Sequence, residues 1–128
     1  MRTALPCLLF LAAFAGCLAP HQQTPDDSGI DGVATIGPTC PAQREPPDPA
    51  CADKPYQGDF AALADGRVVA TFASRADGAF RIALVPGGYT IRLADESRAL
   101  PRCASDGTVL VAEHAWTRVD LRCDSGIR

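Results

Sequence analysis

The stretch Asp77–Leu93, which reads DGAFRIALVPGGYTIRL, decides the fold. It begins with a turn at Asp77-Gly78, continues as an alternating strand, breaks at Pro86-Gly87 and ends in a second alternating strand. Strict alternation of apolar and polar residues is typical of strands with one buried face. The residues predicted to face the core are Phe80, Ile82, Leu84, Tyr89, Ile91 and Leu93.

Further strand patterns surround this stretch and are separated by turn signals at Asp65-Gly66 and Asp106-Gly107. An Asp-Gly pair between apolar runs favours a tight hairpin. In the last predicted strand, residues 116–123, Cys123 lies on the face opposite Arg118, Asp120 and Arg122, so it is predicted to point inward. Seven short strands and no helix predict an all-β chain folded as a single seven-stranded β-sandwich. The other predicted strands are residues 30–36, 59–64, 67–74, 108–112 and 116–123.

The first 16 residues have the features of a cleaved signal peptide. One basic residue, Arg2, precedes the apolar run ALPCLLFLAAFAG at 4–16. A membrane span needs about 20 apolar residues, so this run is too short, but it fits the apolar region of a signal peptide. We therefore predict that residues 1–16 are removed on export.

The end of this segment, Phe14-Ala15-Gly16-Cys17, resembles the lipobox of bacterial lipoproteins, although leucine is the usual residue where Phe14 stands. The resemblance implies that Cys17 becomes the first mature residue and carries several acyl chains, which give stable membrane anchoring. The alternative is an ordinary secretory signal with a free Cys17.

Residues 17–29 are polar and rich in turn formers, and we predict that they form a flexible tether. Residues 30–128 are then the folded domain. Leu18 follows the anchor cysteine, and the absence of aspartate there resembles an outer-membrane signal of double-membrane bacteria. The expected location is the cell envelope, on an outer-membrane lipid anchor, with the domain in the periplasm or at the cell surface.

Four cysteines lie in the predicted domain, at 40, 51, 103 and 123. An even number in a small exported domain predicts two disulfides. Three pairings are open, and we favour those close in sequence, Cys40–Cys51 and Cys103–Cys123. A zinc site is the rival interpretation, but the chain lacks C-x2-C spacing. No cofactor is predicted.

Residues 39–55 form a proline-rich segment that the first disulfide would close into a loop, here named the pinned loop (Cys40–Cys51). Loops fixed in this way often contact partners, whereas a second role is to cover a sheet edge against aggregation. Both roles stay open. Tyr56 follows the loop and is the better exposed aromatic candidate for partner contact.

Charge argues against one class of partner. Loss of Arg2 with the signal peptide leaves 11 of the 12 basic residues against 15 acidic ones. A nucleic-acid-binding protein is expected to carry a basic patch, so nucleic acid is not a predicted partner.

The motifs DGAF (77–80) and VPGGY (85–89) resemble the carboxypeptidase regulatory-like, or transthyretin-like, domains. Three further stretches look like a group of small bacterial lipoproteins of this fold: GPTCP (37–41), CADKPY (51–56) and DSGIR (124–128). The resemblance implies a prealbumin-like sandwich that serves as an accessory module without catalytic activity.

Two arginines raise a question of pairing. If Pro86-Gly87 closes a hairpin, Arg81 lies directly opposite Arg92, and like charges in that position repel. The pair would need an anion, which Asp120, Glu96 or an external phosphate or carboxylate could supply. The alternative is that Pro86-Gly87 carries the chain from one sheet to the other, so that the two arginines never meet.

No sequence pattern typical of a known catalytic site is present, so no catalytic residue and no metal ligand is assigned. We predict a lipid-anchored binding or structural module of the cell envelope that is not an enzyme. Its partners would be the membrane and an envelope protein or polysaccharide, through Tyr56, Arg81 and Arg92. Two alternatives stay open: metal binding through His21, His114 or free thiols, and an enzyme whose site is not recognisable.

Overall fold

The computed structural model describes residues 27–42 and 44–128, and this part of the chain is mostly β-structure. Strands hold 49% of it and helix 3%, so the predicted all-β class is confirmed. The helix is a single 3-10 turn at Pro49–Cys51. The predicted signal peptide, the lipid site at Cys17 and His21 lie outside the described residues. The strands are β1 Gly29–Gly37, β2 Lys54–Pro55, β3 Asp59–Ala64, β4 Arg67–Ala73, β5 Ala79–Ala83, β6 Gly87–Leu93, β7 Arg102–Ala104, β8 Val109–Val111, β9 Trp116–Arg118 and β10 Leu121–Asp124.

The strands form a curled, mixed sheet that folds into two layers. The larger layer has the order β2-β1-β10-β7-β6-β3-β4. In the smaller layer, β5 and β9 lie on either side of β1, and β8 pairs with the beginning of β6. The predicted sandwich-like architecture is therefore present.

Strand β1 belongs to both layers. Its first half pairs antiparallel with β5 and parallel with β9, and its second half pairs parallel with β10. At the crossing point, a Cβ atom on Gly32 would lie 1.7 Å from the carbonyl oxygen of Val119. Because no other residue lacks a Cβ atom, only glycine permits this close approach.

The described chain has ten strands where the sequence predicted seven. Two additional short strands, β2 and β7, were not predicted, and the predicted strand 116–123 is divided into β9 and β10. The division follows from β1, since both pieces pair with it in different layers. Between them, Val119 N donates to Asp31 O at 2.8 Å, and Asp120 Oδ1 accepts from Val33 N at 3.1 Å.

Pro86-Gly87 does not close a hairpin. Strand β5 pairs with β1, whereas β6 pairs with β3, β7 and β8. Leu84 N donates to Ser28 O at 3.0 Å, which keeps the end of β5 beside the start of β1. The alternative interpretation is thus correct: the segment carries the chain from the smaller layer to the larger one.

The core lies between the layers and contains the predicted inward residues of β5 and β6. Phe80, Leu84, Tyr89 and Ile91 are buried, and Ile82 and Leu93 are half-buried against them. The Tyr89 hydroxyl donates to Val85 O at 2.5 Å, and burial raises the pKa of this tyrosine. Apolar residues at alternate positions therefore do supply the buried face.

Three phenylalanine rings join the layers. Phe80 from the smaller layer packs against Phe60 and Phe72 from the larger one, with ring centroids 6.3 and 5.2 Å apart. Phe60 also stacks on Phe72 at 5.4 Å. Such ring pairs add to the energy of simple area burial.

The predicted turn at Asp65-Gly66 has positive φ at both residues, 51° and 75°. This is the backbone that a two-residue hairpin requires. Strand β4 then bulges, because the register with β3 shifts between Ala62 and Leu63. Val68, Ala70 and Phe72 alternate in the sequence as one face of a strand would, but beyond the bulge Val68 is 51% exposed.

The two ends of β1 define the two ends of the molecule. At the entry end, the chain joins the fold at Ser28, beside Leu84 and the β8–β9 turn at residues 112–115. At the loop end, Gly37 finishes β1 beside Asp124, the last residue of β10. Nine residues of strand separate the ends by about 26 Å.

Candidate functional site

Three segments that are distant in sequence meet at the loop end: the pinned loop, the β6–β7 connection (residues 94–101) and the tail (residues 125–128). Ser125 joins the tail to the start of the pinned loop, since its Oγ donates to Pro38 O at 2.6 Å and its N donates to Gly37 O at 3.0 Å. Gly126 packs so closely on Leu100 of the connection that an added Cβ atom would lie 2.1 Å from Leu100 Cδ1. The three motif stretches GPTCP, CADKPY and DSGIR are therefore neighbours in space.

The predicted disulfide Cys40–Cys51 is present and closes the pinned loop, with Cα atoms 5.2 Å apart. Asp48 caps the short 3-10 turn, because its Oδ1 accepts from Ala50 N at 2.9 Å. Beyond the loop, Lys54–Pro55 forms β2 and pairs with the edge of β1. The segment after the loop thus covers a sheet edge, whereas residues 41, 42 and 44–50 of the loop are exposed.

An ion pair fixes the base of the pinned loop to the sheet. Arg122 Nε lies 2.8 Å from Asp53 Oδ2, and Asp53 also packs against Gly37. A recess of about 310 Å³ opens between the loop and this base. Its lining residues are Arg44, Pro47, Asp48, Pro49, Cys51, Ala52 and Asp53.

The main cleft of the loop end lies along the β6–β7 connection and has a volume of about 620 Å³. It combines an apolar floor with five charged side chains. The second predicted disulfide, Cys103–Cys123, joins β7 to β10 beneath it. The lining residues are Arg92, Leu93, Asp95, Glu96, Ser97, Arg98, Ala99, Pro101, Arg102, Cys103 and Ala104.

The two acids in the main cleft already have partners. Glu96 Oε2 lies 3.3 Å from Arg92 Nη1. Asp95 Oδ1 accepts from Ser97 N at 2.9 Å. Hydrogen bonds from Ser97, with a smaller contribution from Arg98, lower the pKa of Asp95. Both carboxylates are therefore engaged by neighbouring residues of this chain.

Asp124 at the edge of the cleft is also engaged. Its two carboxylate oxygens accept from Arg128 at 3.1 and 2.8 Å. Hydrogen bonds from Arg128 and Gly126, with a smaller contribution from Arg102, lower the pKa of Asp124 to about 2. A bidentate arginine is a strong carboxylate partner, so Asp124 is held by Arg128 within this chain.

Two arginines of the main cleft are left for an external group. Within residues 27–42 and 44–128, neither Arg98 nor Arg102 has a carboxylate within 4 Å. Arg102 Nε donates only to the carbonyl oxygen of Ala99, at 3.3 Å. Guanidinium groups bind carboxylates and phosphates through paired N–H donors. The cleft can therefore accept an acidic group from a ligand.

Tyr56 lines a second cleft of about 460 Å³ that adjoins the first. The two share Leu93, Asp95, Arg98 and Pro101. Tyr56 is half-buried rather than fully exposed, and its ring meets Phe60 edge-on with centroids 6.3 Å apart. It can contact a ligand only with the side that faces this cleft.

Arg81 and Arg92 do not form a joint site, so the predicted pairing is wrong. Arg81 lies in the smaller layer opposite Asp31, with its guanidinium 3.6 Å from the centre of the Trp116 ring. Arg92 lies in the larger layer at the main cleft. The physical reason is the passage of the chain between layers at Pro86-Gly87. Of the predicted contact residues, Tyr56 and Arg92 are brought to adjoining clefts, and Arg81 is not.

His114 is an exposed turn residue with φ 53°, and its Nδ1 makes a short hydrogen bond with Asp27 Oδ2. The hydrogen bond and charge of Asp27 raise the pKa of His114.

No group of three or more His, Cys, Asp or Glu side chains in the described ranges is placed to hold a metal ion. No helix among the same residues is long and apolar enough to cross a membrane.

The buried hydroxyls of Ser28 and Ser74 are used by the backbone. Ser28 Oγ donates to Leu84 O at 2.8 Å, and Ser74 Oγ donates to Tyr56 O at 2.6 Å while accepting from Gly58 N at 2.9 Å. Each serine hydroxyl joins two backbone segments that are distant in sequence. These hydrogen bonds satisfy the hydroxyls and allow them to be buried.

The sequence interpretation missed Arg98 and Arg102. A signal existed, because the stretch RLADESRALPRC (92–103), which runs from the end of β6 to the start of β7, contains three arginines and two acids. Which of them stay unpaired depends on Arg128, whose position comes from the fold.

A comparison of the chain with protein-family models, curated proteins and solved structures found no match.

Proposed function

We propose that the protein is a lipid-anchored module of the cell envelope that binds a partner at the loop end and does not act as an enzyme. The carboxypeptidase regulatory-like resemblance of Asp77–Leu93 supports an accessory role. The observation that carries the proposal is the arrangement of the two ends. The chain from Cys17 enters at one end of β1, and the clefts with the pinned loop lie at the other.

The main cleft would bind an acidic group of the partner. Arg98 and Arg102 supply the donors, and Leu93 and Pro101 supply an apolar floor. An envelope protein with an exposed carboxylate and an acidic polysaccharide share this chemistry. The pinned loop lies at the same end and would widen the contact surface.

The anchor is tested by cell fractionation and mass spectrometry. The wild-type chain is expected in the membrane fraction with an acylated Cys17, and Cys17→Ser is expected in the soluble fraction. A Cys17→Ser protein that stays bound to membranes would contradict the anchor.

The binding site is tested by cross-linking pull-down from membranes with two matched double variants. Arg98→Ala/Arg102→Ala removes both free arginines of the cleft, and Arg67→Ala/Arg75→Ala removes the same charge from exposed positions elsewhere. We expect the first variant to lose at least about tenfold of the recovered partner, because an arginine–carboxylate contact contributes about 1.5–3 kcal/mol. Equal recovery with both variants would argue against the cleft.

A further inference from the structure

Exposed apolar side chains are concentrated towards the entry end. Val68 and Val69 follow the Asp65-Gly66 hairpin, Val85 follows β5, and Leu110 in β8 lies opposite Gly88. Leu110 is 72% exposed and the three valines are 51–54% exposed. We name this set, Val68, Val69, Val85 and Leu110, the apolar rim.

The hairpin and the start of β6 lie together at this end. Residues 63–66 and 85–90 line a common recess of about 610 Å³, which places Val85 beside the Asp65-Gly66 hairpin. Exposed apolar groups that cluster on one part of a surface often mark a contact site.

The chain that precedes the described residues arrives at the same end. Nine residues lie between Cys17 and Asp27, and the ten residue-to-residue steps of this segment reach about 35 Å at most. The loop end is about 26 Å further from this point, along β1. A lipid on Cys17 therefore keeps the entry end within about 35 Å of the bilayer, whereas the clefts at the loop end can lie up to about 26 Å further away.

We propose that the apolar rim rests on the bilayer surface and orients the domain, with the loop end directed away from the membrane. This inference rests on the proposed acylation of Cys17. An anchored domain has a high effective concentration at its own membrane, so a few apolar contacts suffice. The clefts would then face the aqueous space and the partner.

Charges around the rim favour an apolar contact over an electrostatic one. Arg118 Nε lies 3.0 Å from Asp120 Oδ1, and His114 is paired with Asp27. The other charged groups at this end have both signs and include Asp31, Asp65, Arg67, Arg81 and Glu113. Attraction to anionic lipid is therefore not required, and the contact is expected to tolerate salt.

The single tryptophan of the chain reports on this contact. Trp116 opens β9 at the entry end, where it pairs with Gly29. The full acylated chain is reconstituted in phosphatidylcholine vesicles with brominated acyl chains, which quench nearby indoles. We expect Trp116 fluorescence to be quenched, at low and at high salt. In the control Trp116→Phe/Leu100→Trp, the only indole lies at the loop end and is expected to stay unquenched.

Matched serine variants test the rim itself. Val85→Ser/Leu110→Ser is expected to lower the fraction of quenched Trp116 about tenfold, because two large apolar contacts are lost. Leu100→Ser/Ile127→Ser removes exposed apolar residues from the loop end, where they are 45% and 39% exposed, and is expected to leave quenching unchanged.

With an acylated chain, three results would overturn the inference: an unquenched Trp116, equal quenching at position 100, or quenching that the Val85/Leu110 variant does not change. An unmodified Cys17 in the mass spectrum overturns the anchor and this inference together. An acylated chain with unquenched Trp116 overturns only the membrane contact, and the two failures are thus distinguishable.

Discussion

At the scale of single residues, Gly66 and Gly78 have similar backbone conformations but different surroundings. Substitutions at these two positions therefore distinguish backbone strain from steric crowding. Gly78 has φ 81° and Gly66 has φ 75°, a region that side chains rarely adopt. A Cβ atom on Gly78 would lie 2.3 Å from the carbonyl oxygen of Ala34, whereas one on Gly66 would meet nothing within 4 Å. The first site is crowded and the second is open.

We therefore expect Gly66→Ala to lower the free energy of unfolding by about 1 kcal/mol, from left-handed strain alone. Gly78→Ala should lower it by about 2–4 kcal/mol, because the backbone of Ala34 must also shift. Urea denaturation measures both. Equal losses would show that crowding at Ala34 is relieved without cost.

The pairing of His114 with Asp27 gives a pH-dependent contribution to stability. Its folded-state pKa is raised above the ordinary 6.5, so the contribution is complete below pH 6.5 and is lost as pH rises through the folded-state value. An NMR titration should find a raised pKa for His114 that returns towards 6.5 in Asp27→Asn. Asp106→Asn, another exposed aspartate, should leave the pKa unchanged. A pKa of 6.5 in the wild type would contradict the pairing.

At the scale of elements, the two disulfides contribute to stability in different ways. Cys40–Cys51 closes an exposed loop, and Cys103–Cys123 joins two paired strands beneath the main cleft. Their sequence separations, 11 and 20, predict a similar effect of about 3 kcal/mol on the unfolded chain. Cys103 and Cys123 are buried, however, so their loss also removes core packing.

We expect Cys40→Ala/Cys51→Ala to lower the free energy of unfolding by about 3 kcal/mol, and Cys103→Ala/Cys123→Ala by about 1 kcal/mol more than that. Denaturant midpoints under non-reducing conditions measure the difference. A larger loss from the loop pair would contradict the assignment of the second bridge to the core.

Elements with local signals could be predicted from the sequence, and those that depend on distant pairing could not. The alternation in β5 and β6 and the Asp65-Gly66 turn depend only on residues that are neighbours in the sequence, and they were predicted correctly. The division between β9 and β10 arises because β1 changes layers, which no local pattern contains. Likewise, the contact of Arg128 with Asp124 joins the tail to β10 and cannot be read from the stretch 92–103 alone.

At the scale of the whole molecule, the layers are held together through Phe60. It is fully buried and lies within 6.3 Å of Tyr56, Phe72 and Phe80, measured between ring centroids. A small domain has about 5–15 kcal/mol of total stability. The packing of the Phe60 ring therefore contributes a large share of the free energy of unfolding.

Phe60→Ala is expected to lower the free energy of unfolding by about 3–5 kcal/mol, and Phe60→Leu by a smaller amount because it keeps most of the volume. Phe72→Ala, at a half-buried site, should fall between them. Thermal unfolding followed by circular dichroism ranks the three variants. A Phe60→Ala protein as stable as Phe60→Leu would mean that the layers do not depend on this ring.

The position of β1 also sets the order in which the domain can close during synthesis. Strand β1 takes its parallel partners, β9 and β10, from residues 116–124, more than 80 positions further along the chain. A chain that is synthesised from its N-terminus therefore cannot complete β1 until residues 116–124 have emerged. Folding driven by such non-local pairing is slow.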